Sequence, residues 1–307
     1  MKILTVNALS SIQDLGRFGC RSMGVGKNGA MDAWSLQAGN ALVKNPLNTP
    51  ALEVAMGSMT LEFTEDTSFC ITGALYEAYL DDERIAGYWR INAQKGQVLT
   101  LQRPIEGMYS YLCVHGGFDI APVLTSASTN LAAGFGGVEG RTLQAGDKLT
   151  INASAELTTI GVARLPKRER IRIIKSSEYA CFNEAAQKAL IETPWQLQTS
   201  SNRMGSRLKG DASLELSAPL QMPSHGVDMG MIQVPPQGQP IVLMADGQTT
   251  GGYPKIAAII SADIGLMAQL QYGKACHFEL IDAEQAFVAQ QQRQRYIHEI
   301  QEYANEH

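Results

Sequence analysis

The stretch DGQTTGGYP, residues 246–254, sets a carboxylate, an amide, two hydroxyls and a tyrosine around two adjacent glycines, directly after the apolar run QPIVLMA. A β-turn needs one Gly, Asn or Asp at a fixed offset. The density of hydrogen-bonding groups here exceeds what chain reversal demands. Four other stretches combine glycine with Arg, Asp, Asn or Gln: QDLGRFGCRS (13–22), GAMD (29–32), SSNRMGSRL (200–208) and SHGVDMG (224–230). Arginine supplies a planar donor fork for a carboxylate or phosphate, and paired glycines let backbone N–H groups approach an anion closely. Asp246 and Gln248 are suited to orienting an amide. Any one of these loops reads as a barrel turn with a capping Asp and a solvated Arg. Five in one chain suit a small polar ligand that carries a carboxylate or an amide.

Other chemistries fit less well. GVGKNG (24–29) has a Gly-Lys pair, but Asn28 stands where a P-loop needs Ser or Thr for Mg²⁺, and the earlier glycine is missing. GFGGVEG (134–140) has Glu139 in place of the third Rossmann glycine and no strand-to-helix context, so it reads as a flexible loop. The five histidines are dispersed, and no metal site is expected. There is no G-x-S-x-G elbow, and the hydroxyl run LTSASTN (124–130) reads as turn and cap residues.

The elements that would position these loops are mostly strands. Ten short β-type segments fall in two series: 58–63, 68–73, 76–81, 97–103 and 109–116, then 170–175, 195–200, 230–235, 240–245 and 276–282. Helical spacing is confined to 31–45, 177–192 and 282–307, the last opening with Asp282 and Gln285 at capping-box offsets. In that helix Phe287, Ile297, Ile300 and Tyr303 form a candidate docking stripe. The charged stretch ARLPKRER (163–170) separates the strand series, which gives domains of 1–165 and 166–307. RFGCR (17–21) and RMGSR (203–207) share a frame that hints at two halves of one architecture.

The chain has 307 residues, 45% of them hydrophobic and 18% charged, with a net charge of −5 and no concentrated basic tract. That composition suits a soluble globular protein and argues against nucleic acid or an anionic membrane as partner. The apolar run 256–270 is interrupted by Asp263 and is too short to span a bilayer. Five scattered cysteines without C-x-x-C spacing read as reduced thiols, and the expected location is the cytoplasm.

QDLGR, GAMD, SNRMGSRL, SHGV, GMIQVP and GQPIVLMADGQTTGGYPKIA together resemble the allophanate hydrolase subunit 2 family of biotin-dependent carboxyltransferase-like proteins, over residues 3 to 290. That family includes the C subunits of bacterial 5-oxoprolinases, to which the length and SSNRMGSRL are most similar. The resemblance implies a mainly β fold of two cyclophilin-like barrel domains with a few flanking helices. It also implies an ATP-using complex with B and A subunits that opens 5-oxoproline to glutamate, in which this chain is inactive alone. The family offers two alternatives: a carboxyltransferase that takes biotin from another protein and acts on urea, or a non-catalytic antagonist of a kinase-inhibitor homologue. The chain has no A-M-K-M biotinylation motif. On this reading Arg203 and Asp246 are the catalytic candidates. Asn202, Gln248, Thr249, Thr250, Gly251, Gly252, Tyr253, Gln13, Asp14 and Arg17 are the substrate-binding ones.

Overall fold

The computed structural model describes all residues from Met1 to His307. The chain divides into two compact units. The first holds Met1–Phe18, Asn28–Leu165 and Gln294–His307; the second holds Gly19–Lys27 and Pro166–Arg293.

The first unit contains β1 (Lys2–Val6), β2 (Leu9–Gln13), α1 (Ala33–Leu42), β3 (Ala51–Ala55), β4 (Met59–Glu62), β5 (Thr67–Leu80), β6 (Glu83–Ile85), β7 (Trp89–Ala93), β8 (Val98–Val114) and β9 (Ile160–Gly161). These strands make one branched sheet with a spine of β1-β4-β8-β5-β7-β9; β3 also joins β8, β2 joins β3, and β6 joins β5. The segments expected at 68–73 and 76–81 are one strand, β5, and those at 97–103 and 109–116 are one strand, β8. The turn-like residues between them mark register shifts after Gly73, Leu75 and Glu77 rather than strand ends. A bulge bends a long strand without interrupting it. The core is built from Ile3, Ile12, Leu52, Val54, Phe63, Phe69, Leu99, Leu112 and Phe118. Helix α1 is capped by Asp32, whose carboxylate accepts from Ser35 N at 3.2 Å and Ser35 Oγ at 2.6 Å. Its Gly39 must be glycine, since a Cβ there would lie 2.6 Å from Cys113 Sγ and 2.8 Å from Thr72 Oγ1.

The second unit contains β10 (Arg170–Lys175), α2 (Glu184–Glu192), β11 (Trp195–Leu197), β12 (Gly205–Lys209), β13 (His225–Gly226), β14 (Met231–Gln233), β15 (Ile241–Leu243), β16 (Thr250–Gly251), β17 (Lys255–Ile259), α3 (Ile264–Ala268) and β18 (Ala275–Leu280). Seven strands close a barrel in the order β10-β17-β14-β15-β12-β11-β18, and β13 and β16 form a separate ribbon. Closure is made by the parallel pair β10–β18, with Arg170 opposite His277. The mainly β architecture with few helices matches the expectation from sequence. Two local readings need correction. SSNRMGSRL is not all loop, because β12 starts at Gly205. The single helix expected over 177–192 is a 3-10 turn (Tyr179–Cys181) followed by α2, which Asn183 caps through Ala186 N at 2.7 Å.

Helix α4 (Ala283–Glu306) opens with the reciprocal capping box: Asp282 N donates to Gln285 Oε1 at 3.1 Å and Gln285 N to Asp282 Oδ1 at 2.8 Å. Its residues through Arg293 group with the second unit and those from Gln294 with the first. The expected stripe is half right. Ile297 and Ile300 are buried, but Phe287 is 63% and Tyr303 41% exposed; Ala289 and Ala304 are buried instead. A helix places 297, 300 and 304 on one face, and Phe287 falls off it. Arg90 in β7 is fully buried. Its Nη1 donates to the carbonyls of Leu42 at 3.0 Å and Ala304 at 3.4 Å, in the last turns of α1 and α4, and its Nε donates to Thr158 O at 2.8 Å. A cation satisfies carbonyls that a helix end leaves without partners.

Candidate functional site

In the second unit the loop before β12 is tied to the segment after β15 by an ion pair and by backbone hydrogen bonds. Asn202 and Gly205 exchange backbone bonds at 3.2 Å, and Asn202 Oδ1 accepts from Met204 N at 2.8 Å. This tight reversal sets Arg203 at its tip. Asp246 follows β15, and its N–H donates to Arg203 O at 2.8 Å. The side chains then meet as a fork: Arg203 Nε to Asp246 Oδ2 at 2.8 Å and Nη2 to Oδ1 at 3.0 Å. They are only 11% and 8% exposed. The structure thus brings the two catalytic candidates together as partners of each other. A guanidinium so engaged braces the loop.

Beyond Asp246 the loop turns outward. Gln248 is exposed and its Nε2 donates to Gln233 Oε1 at 3.3 Å. Thr249 O accepts from Val227 N at 3.0 Å, and Thr250 and Gly251 pair with Gly226 and His225 in the β13–β16 ribbon. Gly252 and Tyr253 are exposed, Tyr253 by 47%.

Sequence reasoning had His225 and Lys255 in or at the edge of polar loops but did not link them to each other or to Glu178 and Gln233, with which they form a second polar cluster. Lys255, buried at the start of β17, pairs with Glu178 Oε2 at 2.8 Å and contacts His225 Nε2. His225 Nδ1 lies 3.1 Å from Pro223 O, so it donates there and leaves Nε2 as the acceptor for the lysine. Burial pushes the Glu178 carboxyl up, but hydrogen bonds from Lys255, Ser177 and the Lys255 backbone, with the lysine charge, outweigh it and hold the group below its ordinary value. Gln233 stands opposite Lys255 across the β14–β17 pair, and it is 2% exposed. The signal was present as a lone Gln in GMIQVP and a lone Lys entering an apolar run.

Arg21 and Asp228 pair at 2.6 Å beside Lys27. Together with Gly26, Gln248 and Thr249 they line a cleft of about 10 Å³, which holds one water and no more. Burial lowers the Lys27 pKa against the opposing charge of Asp228.

In the first unit Gln13, Asp14 and Arg17 form a group of their own. Asp14 accepts from Gly16 N at 2.8 Å, Ser126 Oγ at 2.6 Å, Ala127 N at 2.8 Å and Ser128 Oγ at 2.5 Å. Arg17, 1% exposed, donates to Val123 O at 3.0 Å, Asn28 Oδ1 at 3.1 Å and Ser128 O, with Phe135 packed on its guanidinium. Gln13, fully buried, donates to Ser11 Oγ at 2.9 Å. All three have internal partners and shape the hydroxyl run 124–130. GFGGVEG, expected to be a flexible loop, is a set turn packed on that run. Gly134, Gly136, Gly137 and Gly140 all have positive φ, and a Cβ on Gly136 would collide with Ser128 O. The turn borders a cavity of about 550 Å³ lined by Asp119, Glu139 and Lys148. Two carboxylates against one ammonium do not suit a polyphosphate, so the residues here do not fit ATP. His115 Nδ1 lies 2.8 Å from Val43 O, a structural contact. No cluster of three His, Cys, Asp or Glu side chains could hold a metal ion, and no helix is long and apolar enough to cross a membrane.

Comparison with known proteins places this geometry among relatives. Residues 23–280 match the family model described as carboxyltransferase domain, subdomain A and B. A Haemophilus influenzae protein, named as the C subunit of 5-oxoprolinase, is 48% identical over 305 residues, covering 99% of this chain and 98% of that protein. The Escherichia coli protein of the same name is 45% identical, covering 98% and 97%. The crystal structure of the K. lactis urea amidolyase superposes with a TM-score of 0.90 at 24% identity, over 97% of this chain and 20% of that one. This last likeness is one of fold.

Proposed function

We propose a function from the premise that this chain belongs to the carboxyltransferase family with subdomains A and B, and within it to the C subunits of 5-oxoprolinases. It is one member of a cytoplasmic complex with B and A subunits that opens 5-oxoproline to glutamate with ATP. The observation that carries this reading is the near full-length identity of 48% and 45% to two proteins of that name. The five free thiols suit a reducing compartment.

Opening a lactam places negative charge on the amide oxygen, and preorganised donors aimed at that oxygen are the largest catalytic contribution such a site can make. Gln248, Thr249, Thr250 and the backbone from Gly251 to Tyr253 contact the substrate in this reading. Arg203 and Asp246 hold that loop in place. The test is reconstitution: the chain alone, each pair and the assembled trio are assayed for 5-oxoproline-dependent ATP hydrolysis and glutamate release. Activity is expected from the trio only. Full activity from this chain alone, or none from the trio, overturns the proposal.

A further inference from the structure

We propose that the turn Val123–Ser126, braced by Asp14 and Arg17, is a docking anchor for another member of the complex, presenting Leu124 to an apolar socket with a basic rim. The proposal rests on the reading of this chain as one subunit of a complex. Its physical basis is a strained turn with an apolar tip in solvent. Val123 N donates to Ser126 O at 2.9 Å and Ser126 N to Val123 O at 3.4 Å, so two residues alone reverse the chain. Both are left-handed, Leu124 at φ 52° and Thr125 at φ 69°. That pair of signs belongs to the type I′ turn, which Asn-Gly makes readily and a leucine followed by a β-branched threonine makes only under strain. The strain is held from within. Arg17 Nε donates to Val123 O at 3.0 Å and its Nη2 to Ser126 O at 3.4 Å, while Asp14 accepts from Ser126 Oγ at 2.6 Å and Ala127 N at 2.8 Å. Both bracing residues are buried, yet what they present is apolar: Val123 is 37% and Leu124 41% exposed. Chain reversal alone does not call for an exposed leucine at a left-handed position. Strained backbone that its surroundings over-determine gathers at binding and switch sites. An apolar side chain fixed before the partner arrives is a good anchor, because its ordering is already complete. Val123 also walls the open cavity of about 550 Å³ with Ile120, Phe135 and Val138, so the tip continues into an apolar groove. Glu139 on that groove pairs with Arg141 at 3.1 Å and Arg141 with Asp147 at 2.8 Å. With Asp119 and Lys148 added, carboxylates outnumber cations there, which suits a basic residue beside the partner's socket.

The test measures the affinity of the full chain for its purified B- and A-subunit homologues by calorimetry, with a melting temperature for every variant. Leu124→Asn combined with Thr125→Gly relaxes the turn and removes the anchor. Two effects of opposite sign are expected: a melting temperature raised by about 2 °C or more, and an affinity weakened by about tenfold or more. Leu124→Ala, which only trims the side chain, should weaken binding by a similar factor. Asp119→Lys should slow association by about threefold or more at low salt, with the loss shrinking as salt is raised. A turn with a structural role alone gives the raised melt with affinity within about twofold of wild type, and that result overturns the proposal. A lowered melt in the double variant also overturns it, since the strain is then absent. An unchanged association rate for Asp119→Lys overturns the basic rim. If the wild-type chain binds neither homologue, the complex reading and the anchor fall together. If it binds and the assembled trio leaves 5-oxoproline intact, the reaction reading fails alone, and the anchor stands or falls on the same affinities. Self-association of the chain that the double variant abolishes would put a second copy on this face and overturn the proposed partner.

Discussion

At the residue scale, Arg203 and Asp246 show how type and partner can be read separately. Both stood out in the sequence as polar groups in glycine-bearing loops, but 43 residues separate them and no periodicity links the two. Their pairing is therefore visible only in the fold, where it makes Arg203 a brace. Replacing the guanidinium by an ammonium keeps the charge and loses the fork. We expect Arg203→Lys to lower stability by about 1–3 kcal/mol in urea melts, with turnover reduced through misplacement of the loop. Wild-type stability with a large loss of kcat would instead assign the side chain to the substrate. Glu178 gives a pH signature. Its folded pKa is held below the ordinary 4.5, so its contribution is complete above that value and is lost as pH falls through the lower folded value. Glu178→Gln should flatten the fall of melting temperature with acidification below pH 4.5 and leave the slope near neutrality unchanged. An unchanged acid limb would count against the Lys255 pair.

At the element scale, all ten segments picked out by apolar alternation lie on strands, but strands such as β1, β2, β3, β7 and β17 were not among them, and strand lengths escaped it. Pro104 and Gly107 read as strand ends, yet they lie within the 17 residues of β8, because pairing with β5 on one side continues across the shifts in register. Gly205–Lys209 was hidden for the opposite reason: its charged residues Arg207 and Lys209 face out on a barrel strand and look like loop. Helix α4 was legible from its capping box, but its buried face was not, since aromatic residues drew attention from the alanines that let the helix approach closely. Ile300 is 3% exposed on that face and Phe287 is 63% exposed off it. Ile300→Ala should cost about 2–5 kcal/mol by denaturant titration, and Phe287→Ala less than about 0.5 kcal/mol. Equal effects would mean that the helix docks differently.

At the scale of the whole molecule, the sequence showed two strand series and a charged boundary between them, because composition changes where one core stops and another begins. It did not show that segments are exchanged: residues 19–27 group with the second unit and 294–307 with the first. Local periodicity carries no information about which core a helix half serves. Arg90 makes the exchange concrete, since one carbonyl it holds belongs to Leu42 and another to Ala304, 214 residues away from it. The order of biosynthesis gives this contact a further meaning. On the ribosome β7 emerges long before α4, and at about 5–20 residues per second the wait between Leu165 and Gln294 is on the order of 10 s. Throughout that interval the nascent first unit carries a buried-to-be guanidinium with one of its acceptors not yet translated. The first unit is therefore incomplete until residues 294–307 have been made, and a chain truncated before Gln294 lacks the Ala304 acceptor of Arg90.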